Sequence, residues 1–329
     1  MHTLWVCIFL SYVFNSKPHN VNGGIKNETN KKLTGLILST MMLLTLLVGC
    51  SDKAVTMQDR EGNDFTKPSK VERIISTAPS NTEVLVALGM ADKLVAVDKY
   101  SEDVKGISED IPKINFRNPD AETIIGLEPD IIIASGHNKA GDEDPFQAVK
   151  DAGIPVVYIP SSVSFDGIYG DIEFIGNLVD KKKEASKLVE DMKKEVADIK
   201  AIGDTITDKK KVYFEIGSGS KLSSFGSDTF LNEAISIIGA KNIFESEKSW
   251  ISPSEESVIA ANPDVILTNQ AFLDDPIGSI AKRKGWEGVT AIKNNQIFLL
   301  DKNTTSRPSQ NVIAALKEMA KAVYPDKYE

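Results

Sequence analysis

The stretch that decides the fold is residues 166–202, DGIYGDIEFIGNLVDKKKEASKLVEDMKKEVADIKAI. Its apolar side chains recur every three or four residues, with lysine and glutamate between them, which is typical of an amphipathic α-helix. Asp166 can cap the start of this helix, Gly203 can end it, and no proline interrupts it. At about 1.5 Å per residue, one helix of this length spans roughly 55 Å, enough to join two lobes.

Similar sequence lies on both sides of this helix. Residues 122–134 read ETIIGLEPDIIIA, and residues 256–268 read ESVIAANPDVILT. Each copy passes from a short helical segment through Pro-Asp into a fully apolar run, which suits a buried parallel strand. Upstream of each copy, the strand–helix–strand pattern of 73–97 corresponds to that of 211–244. Two matches in the same order favour two related lobes.

The chain is therefore expected to fold as an α/β protein with two Rossmann-like, three-layer lobes joined by a single long α-helix. The predicted divisions are a signal peptide (1–49), a linker (50–70), the first lobe (71–165), the connecting helix (166–205) and the second lobe (206–329).

The first fifty residues indicate processing and export. Lys31 and Lys32 precede an apolar run that ends in Leu-Val-Gly-Cys50. At about sixteen residues this run is short for a membrane span and fits the core of a signal peptide. The end of the run resembles the bacterial lipobox, whose cysteine is lipidated and begins the mature chain. A plain transmembrane anchor is the alternative interpretation of this apolar run. Residues 1–30 precede the expected start of such a signal, which indicates a misassigned translation start.

Charge and residue counts exclude several classes of function. The formal net charge of −9 argues against nucleic-acid binding, and removing residues 1–49 would remove four lysines and one glutamate, leaving a more acidic chain. Beyond residue 49 the chain has one cysteine, Cys50, and one histidine, His137, too few for a zinc site or a cysteine cluster. The GxxxxGK[ST], HExxH and GxSxG motifs do not occur. We expect a binding protein rather than an enzyme, with no catalytic residue and no catalytic cofactor.

Four features together resemble the substrate-binding proteins of ABC importers, in the subfamily for ferric siderophores, haem and cobalamin. They are RIISTAPSNTEVLVALG (73–89), the two Pro-Asp segments, the long helix and the C-terminal RPSQNVIAALKEMAKAVYPD. The resemblance covers residues 71–325. It implies that the ligand is held in the cleft between the lobes and that the lobes open and close little.

The resemblance also implies the partners and the location of the protein. It predicts a monomer that delivers a small metal chelate to a permease dimer with its ATPase subunits. Through lipid on Cys50 the protein would lie on the extracytoplasmic face of the cell membrane, as in a Gram-positive-type bacterium.

Candidate ligand-binding residues follow from the rule that ligands of open α/β sheets lie beyond the carboxyl ends of the strands. This rule and the resemblance together select Tyr100, Phe116, Arg117, His137, Phe225, Trp250 and Arg307. Tyr100, Phe116 and Trp250 resemble the aromatic positions that line the cleft in cobalamin-binding members. The two arginines can pair with anionic oxygens of a catecholate, a carboxylate or a haem propionate.

Other roles remain open for some of these residues. Phe116 and Phe225 can instead be core residues. His137 can be an axial ligand of haem iron or an ordinary hydrogen-bonding residue in a loop.

The expected ligand is an iron chelate, either a ferric siderophore or haem, and cobalamin is the alternative. The cobalamin-binding pattern has tryptophan where Phe116 stands and another next to the position of Gly136. Cobalamin also carries mostly amides, so it needs fewer cations. One alternative hypothesis is a surface lipoprotein that binds a protein partner. Another is a metal-handling enzyme of the nitrogenase-like fold family, but the missing cysteines argue against it.

Glu122 and Glu256 hold the same place in the two copies, seven residues before the proline of each Pro-Asp segment. Each lies near the start of a helix, where the helix dipole favours a carboxylate. In the related family the corresponding pair docks onto arginines of the two-fold symmetric permease. The resemblance therefore predicts that Glu122 and Glu256 are permease-docking residues.

Overall fold

Two parallel β-sheets form the centres of the two lobes. The computed structural model describes residues 55–139 and 143–328. The predicted signal peptide and the predicted lipidation site, Cys50, lie outside the described residues.

An antiparallel hairpin precedes the first lobe and consists of β1 (Val55–Gln58) and β2 (Asp64–Lys67). The carboxylate of Asp59, in the turn, accepts hydrogen bonds from the N–H groups of Asn63 (2.8 Å) and Tyr158 (2.9 Å). Arg60 adds an ion pair with Asp171 at 2.7 Å. Much of the segment expected to be a linker, 50–70, is therefore folded against the first lobe.

The first lobe contains β3 (Ile74–Ser76), α1 (Pro79–Ala87), β4 (Leu94–Asp98), β5 (Lys113–Ile114), α2 (Ala121–Gly126), β6 (Ile131–Ser135), α3 (Gln147–Asp151) and β7 (Val156–Ile159). All five strands are parallel, in the order β5-β4-β3-β6-β7. Along β6, Ile131 and Ile133 join one apolar cluster and Ile132 and Ala134 join another. Both faces of the sheet are therefore buried, which explains the unbroken apolar run in the sequence.

The connection between the lobes consists of two helices, so the prediction of a single helix over 166–205 is wrong. They are α4 (Phe165–Leu178) and α5 (Lys182–Gly203). Between them Asp180 has a left-handed backbone with φ 58°, and the N–H of Lys181 bonds to the carbonyl of Gly176 at 2.6 Å. This is a common way to end a helix. The apolar repeat did not reveal the break, because each half keeps helical spacing on its own.

The outer ends of these helices only partly match the prediction. Ser164, not Asp166, caps α4, because its Oγ accepts the N–H of Gly167 at 3.1 Å. Gly203 is the last residue of α5, as predicted.

The second lobe contains β8 (Lys211–Glu215), β9 (Gly217–Ser218), β10 (Leu222–Phe225), α6 (Phe230–Ile237), β11 (Lys241–Asn242), β12 (Trp250–Ile251), α7 (Glu255–Ala261), β13 (Val265–Thr268), α8 (Pro276–Ala281), α9 (Thr290–Lys293), β14 (Ile297–Leu299), α10 (Lys302–Ser306) and α11 (Val312–Val323). Its parallel sheet has the order β11-β8-β13-β14, and β12-β10-β9 form a small antiparallel sheet. The predicted α/β fold with two lobes is confirmed.

The internal repeat has the same backbone geometry in both lobes. The residue before each proline is left-handed, with φ 47° at Glu128 and 48° at Asn262. The aspartate after each proline accepts the N–H of a residue that leads the neighbouring strand, at 2.9 Å for Asp130 and 2.8 Å for Asp264. In each copy this bond ties the start of one strand to the start of the next.

A basic side chain completes the same arrangement in each copy. Arg73 donates to the carbonyl of Leu127 at 2.6 Å, at the end of α2. Lys211 donates to the carbonyl of Ala261 at 2.7 Å, at the end of α7. Cations at helix C-termini satisfy free carbonyls and complement the helix dipole, so the repeat read from the sequence is a repeat of interactions as well.

Glycine permits the close packing of the two connecting helices. A Cβ added at Gly176 of α4 would lie 2.3 Å from the Cβ of Ala185 on α5. Ala185 is fully buried. The two backbones therefore approach as closely as they do only because position 176 has no side chain.

We expect Gly176→Ala to lower the free energy of unfolding by about 1–3 kcal/mol, because the added methyl overpacks the helix contact. Urea unfolding measures this change. Ala185→Gly alone should cost about 1 kcal/mol through helix propensity. If the contact is the cause, the double variant loses clearly less stability than the two single losses together; additive losses would contradict the assignment.

Candidate ligand-binding site

A cavity of about 410 Å³ opens at the carboxyl ends of the strands of the first lobe. Its walls come from the segments that follow β3, β4, β5, β6 and β7, and from residues 302–308 of the second lobe. Four of the predicted residues line it: Tyr100, Phe116, His137 and Arg307. The cavity is therefore bounded by both lobes, at the place that the strand-end rule indicated.

Asn138 joins two of the segments that form this wall. It is buried, and its amide oxygen accepts hydrogen bonds from the Thr77 hydroxyl (2.5 Å) and from the N–H of Ser135 (2.7 Å). Its side-chain nitrogen donates to the carbonyl of Thr77 at 3.3 Å. The neighbouring His137 is exposed and lines the cavity, so its imidazole is accessible to a ligand.

The first lobe presents a row of aromatic and cationic side chains. Tyr100 is 54% exposed, and its ring centroid lies 5.9 Å from that of Phe116. The Lys99 ammonium lies 4.9 Å from the centre of the Tyr100 ring, and the Arg117 guanidinium lies 5.7 Å from the centre of the Phe116 ring. Arg117 is exposed but does not line the cavity. Phe116 is only 9% exposed, so the apolar surface of this row is mainly that of Tyr100, and a cation lies at each end.

Trp250 and Phe225 form an aromatic pair on the second lobe, outside the lining of this cavity. Trp250 is 55% exposed, whereas Phe225 is fully buried. Their centroids lie 6.2 Å apart at an interplanar angle of 83°, and the far side of Phe225 packs on Phe214. The structure therefore places Phe225 in the core, where it supports Trp250 from behind.

Arg307 contacts the first lobe with the group that we expected to meet the ligand. Its guanidinium pairs with the carboxylate of Glu83 at 2.9 Å, and both side chains are nearly buried. The other oxygen of Glu83 accepts from the Ser309 hydroxyl at 2.5 Å and from the Asn311 amide at 2.9 Å. We call this group, Glu83 with Arg307, Ser309 and Asn311, the lobe clamp.

Asp103 extends the lobe clamp towards the cavity. It pairs with Arg307 at 2.6 Å and accepts from the Asn303 amide at 2.8 Å. Burial alone would raise the pKa of Asp103, but the hydrogen bonds from Arg307 and Asn303 outweigh it and hold that pKa below its usual range. Burial likewise opposes the charge of Arg307, yet Glu83 and Asp103 raise its pKa. Both groups are charged at neutral pH, so the guanidinium is neutralised by the protein itself.

Glu122 and Glu256 lie exposed in the first turns of α2 and α7. Hydrogen bonds from its own backbone N–H and from Ser254 lower the pKa of Glu256. Neither glutamate forms an ion pair with another residue of the described chain. The structure is thus compatible with both a helix-dipole role and a docking role.

Sequence reasoning missed Glu83, Asp103 and Lys302. Glu83 lies within residues 73–89, the segment that carried the family resemblance. A charged residue on the buried face of a helix needs a partner, and this signal could have identified Glu83. Asp103 and Lys302 lie in exposed segments after strands, where a charged residue is ordinary and does not indicate a partner.

Two features do not occur in the described part of the chain. Residues 55–139 and 143–328 contain no group of three or more histidine, cysteine, aspartate or glutamate side chains placed to bind a metal ion. Within the same residues, no helix has the length and apolar character needed to cross a membrane.

Comparison with known proteins identifies a family. The sequence model described as "Periplasmic binding protein" matches residues 74–304. An uncharacterised ABC transporter substrate-binding lipoprotein of Bacillus subtilis is 30% identical over 319 residues, which cover 91% of this chain and 99% of that protein. A vitamin B12-binding protein of Vibrio parahaemolyticus is 28% identical over 251 residues, which cover 76% of this chain and 88% of that protein.

A solved structure is similar over its whole length. It is that of a possible iron-binding, periplasmic solute-binding protein from Staphylococcus epidermidis, with a TM-score of 0.70 and 33% identity. The superposition covers 78% of this chain and all of that one. The shared architecture extends over both lobes.

Arg307→Ala should lower the free energy of unfolding by about 3 kcal/mol, because it leaves the Glu83 carboxylate buried with no countercharge. Urea unfolding at neutral pH measures the loss. Arg117→Ala is the matched control, since that side chain is exposed and its guanidinium lies over the Phe116 ring without an ion pair in the described chain. If the two variants lost equal stability, Arg307 would not be a structural clamp.

Proposed function

We propose that this chain, which belongs to the periplasmic binding protein family, is the substrate-binding component of an ABC importer and captures an iron chelate. The observation that carries the proposal is the cavity between the lobes, with an aromatic surface on one side and cationic side chains at its rim. A concave site of this kind suits a small molecule better than a protein partner.

The relatives support the transport role. The Bacillus subtilis protein is named as a substrate-binding lipoprotein of an ABC transporter, and it matches this chain over nearly its whole length. The Staphylococcus epidermidis structure is described as possibly iron-binding. The proposed location is the extracytoplasmic face of the membrane, with lipid on Cys50 as the anchor.

The chemistry of binding follows from the residues at the cavity. Tyr100, supported by the nearly buried ring of Phe116, supplies rigid apolar area to a flat or macrocyclic ligand at small cost in side-chain entropy. Positive or proton-donating groups surround this aromatic surface, and they belong to Lys99, Arg117 and His137. Capture needs no bond to be made or broken, so no catalytic group is assigned.

Cobalamin is the second candidate ligand. The Vibrio parahaemolyticus relative is named as a vitamin B12-binding protein, and exposed Tyr100 and Trp250 suit a bulky macrocycle. The cations around the cavity favour an anionic iron chelate instead, because cobalamin is recognised mainly through amides.

We also propose that Glu122 and Glu256 orient the protein on the permease. They hold equivalent places in the two lobes, and both are exposed. Two separated charges that meet two opposite charges fix an orientation and raise the encounter rate, whereas one charge would leave the protein free to pivot.

The ligand assignment is tested by titration with a panel of haem, a ferric tris-catecholate, a ferric tris-hydroxamate and cyanocobalamin. Beyond residue 49 the chain has only two tryptophans: Trp286 is fully buried, and exposed Trp250 should report binding by fluorescence. Trp250 lies outside the cavity lining, so Trp250→Ala should weaken binding by about 1–3 kcal/mol for a ligand large enough to reach from the cavity to the second lobe, and should leave the affinity of a smaller ligand unchanged.

Trp286→Phe is the control for the fluorescence signal and should preserve both binding and the response. With haem, His137→Ala should shift the absorption spectrum if the imidazole is an axial ligand. Binding of no member of the panel to the folded protein would refute the proposed function.

The docking assignment is tested in cells. The double variant Glu122→Ala, Glu256→Ala should abolish ligand uptake while ligand affinity and Tm stay nearly unchanged, because only the permease contact is lost. Glu128→Ala is a nearby control for loss of a surface carboxylate. Normal uptake by the double variant, or a parallel loss of ligand affinity, would contradict the docking role.

A further inference from the structure

We infer that Lys99 and Lys302 form an anion-binding pair across the cavity and that the ligand presents negative charge to both lobes. This inference rests on the proposed function and narrows its ligand class. Lys99 follows β4 in the first lobe, and Lys302 is the first residue of α10 in the second lobe. Both line the same cavity of about 410 Å³.

The two lysines are the cations that remain available in the lining. Arg307 also lines the cavity, but its guanidinium is engaged with Glu83 and Asp103 at 2.9 and 2.6 Å. Neither Lys99 nor Lys302 forms an ion pair with any residue of 55–139 or 143–328. Their ammonium groups can therefore meet a ligand without breaking an ion pair within the described chain.

The lining also contains two carboxylates, those of Glu102 and Asp103. Asp103 shares the single positive charge of Arg307 with Glu83 and receives a hydrogen bond from Asn303, so its carboxylate is engaged within the protein although the three charged groups together carry one net negative charge. Glu102 is exposed at the rim and is the one carboxylate of the lining that has no cationic partner among the described residues. His137 adds a further group that becomes positive when it binds a proton.

The charge of the whole chain makes this pair more significant. With a formal net charge of −9, the protein repels anions at a distance. An anionic ligand then needs local positive charge at the cavity, where the low-dielectric walls strengthen its effect. Exposed lysines contribute modestly in water, and a ligand that excludes water from the cavity strengthens both contacts.

The placement of the pair also determines what each lysine does. Because one belongs to each lobe, a ligand with negative groups on two sides bridges the lobes, whereas a ligand with one negative group engages only one lysine. The arrangement favours chelates with several carboxylate or catecholate oxygens over uncharged macrocycles.

The test compares Lys99→Ala, Lys302→Ala and the double variant by calorimetric titration with two probes: an anionic ferric tris-catecholate, and cyanocobalamin, which has no net charge. Each single change should weaken catecholate binding by about fivefold, and the double change by more. Binding of cyanocobalamin should change less than about twofold, since it does not use the pair.

Lys187→Ala is the matched control. Lys187 is an exposed lysine on the outer face of α5, paired with Asp191 at 2.9 Å. It should leave the affinity for both probes unchanged. Arginine at positions 99 and 302 should restore most of the catecholate affinity, because charge rather than the shape of lysine is required.

The outcomes separate the inference from the proposed function. If the double variant keeps its Tm and binds the catecholate as tightly as the unmodified protein, the inference is wrong and the proposed function stands. If the unmodified protein binds only cyanocobalamin, the inference is wrong and the second ligand candidate is supported. If the folded protein binds neither probe, nor haem nor the hydroxamate, both fail.

Discussion

One buried carboxylate, that of Glu83, joins the two lobes beside the cavity. A carboxylate taken out of water needs a countercharge and several donors, or it destabilises the fold by several kcal/mol. Glu83 lies on α1 of the first lobe, and the groups that satisfy it, Arg307, Ser309 and Asn311, all follow α10 in the second lobe. The lobes can separate at this point only by exposing those groups together.

A second polar contact between the lobes lies at the connecting helices. The carboxylate of Glu233, on α6, accepts the N–H of Phe165 at 2.8 Å, at the start of α4. Burial raises the pKa of Glu233, the hydrogen bond from Phe165 opposes this, and nearby Asp166 raises the pKa further. With the lobe clamp near the cavity and this contact at the helices, the lobes are held at two points, which limits their movement more than a single flexible hinge would.

The sequence predicted the lobes well because each repeat encodes its own geometry. The apolar runs over 131–134 and 265–268, each preceded by Pro-Asp, were sufficient to place two buried strands. It predicted the connection less well, since the left-handed turn at Asp180 depends on close packing between Gly176 and Ala185 that no periodicity records. The hairpin over 55–67 was missed for a similar reason, because the Asp59 carboxylate in its turn accepts a hydrogen bond from the N–H of Tyr158, about a hundred positions away.

In the candidate site, too, the sequence predicted local features and missed contacts between distant segments. The sequence predicted the position of Tyr100, Phe116 and His137 at the cavity, because position after a strand is a local property of the sequence. The sequence did not predict that Arg307 pairs with Glu83, because that contact depends on how two distant segments of the chain meet. For the same reason Phe225 was assigned to the ligand although it lies behind Trp250.

The duplicated Pro-Asp arrangement has a consequence for how such a protein can diversify. Asp130 and Arg73 close the first sheet with contacts inside the first lobe, and Asp264 and Lys211 do the same inside the second. Each lobe thus closes its own sheet with its own polar contacts, the polar contacts between the lobes are concentrated around Glu83 and Glu233, and one apolar cluster runs through both lobes and the helices between them. Recombination could exchange one half of the binding surface while the other half, and the junction chemistry, stay intact.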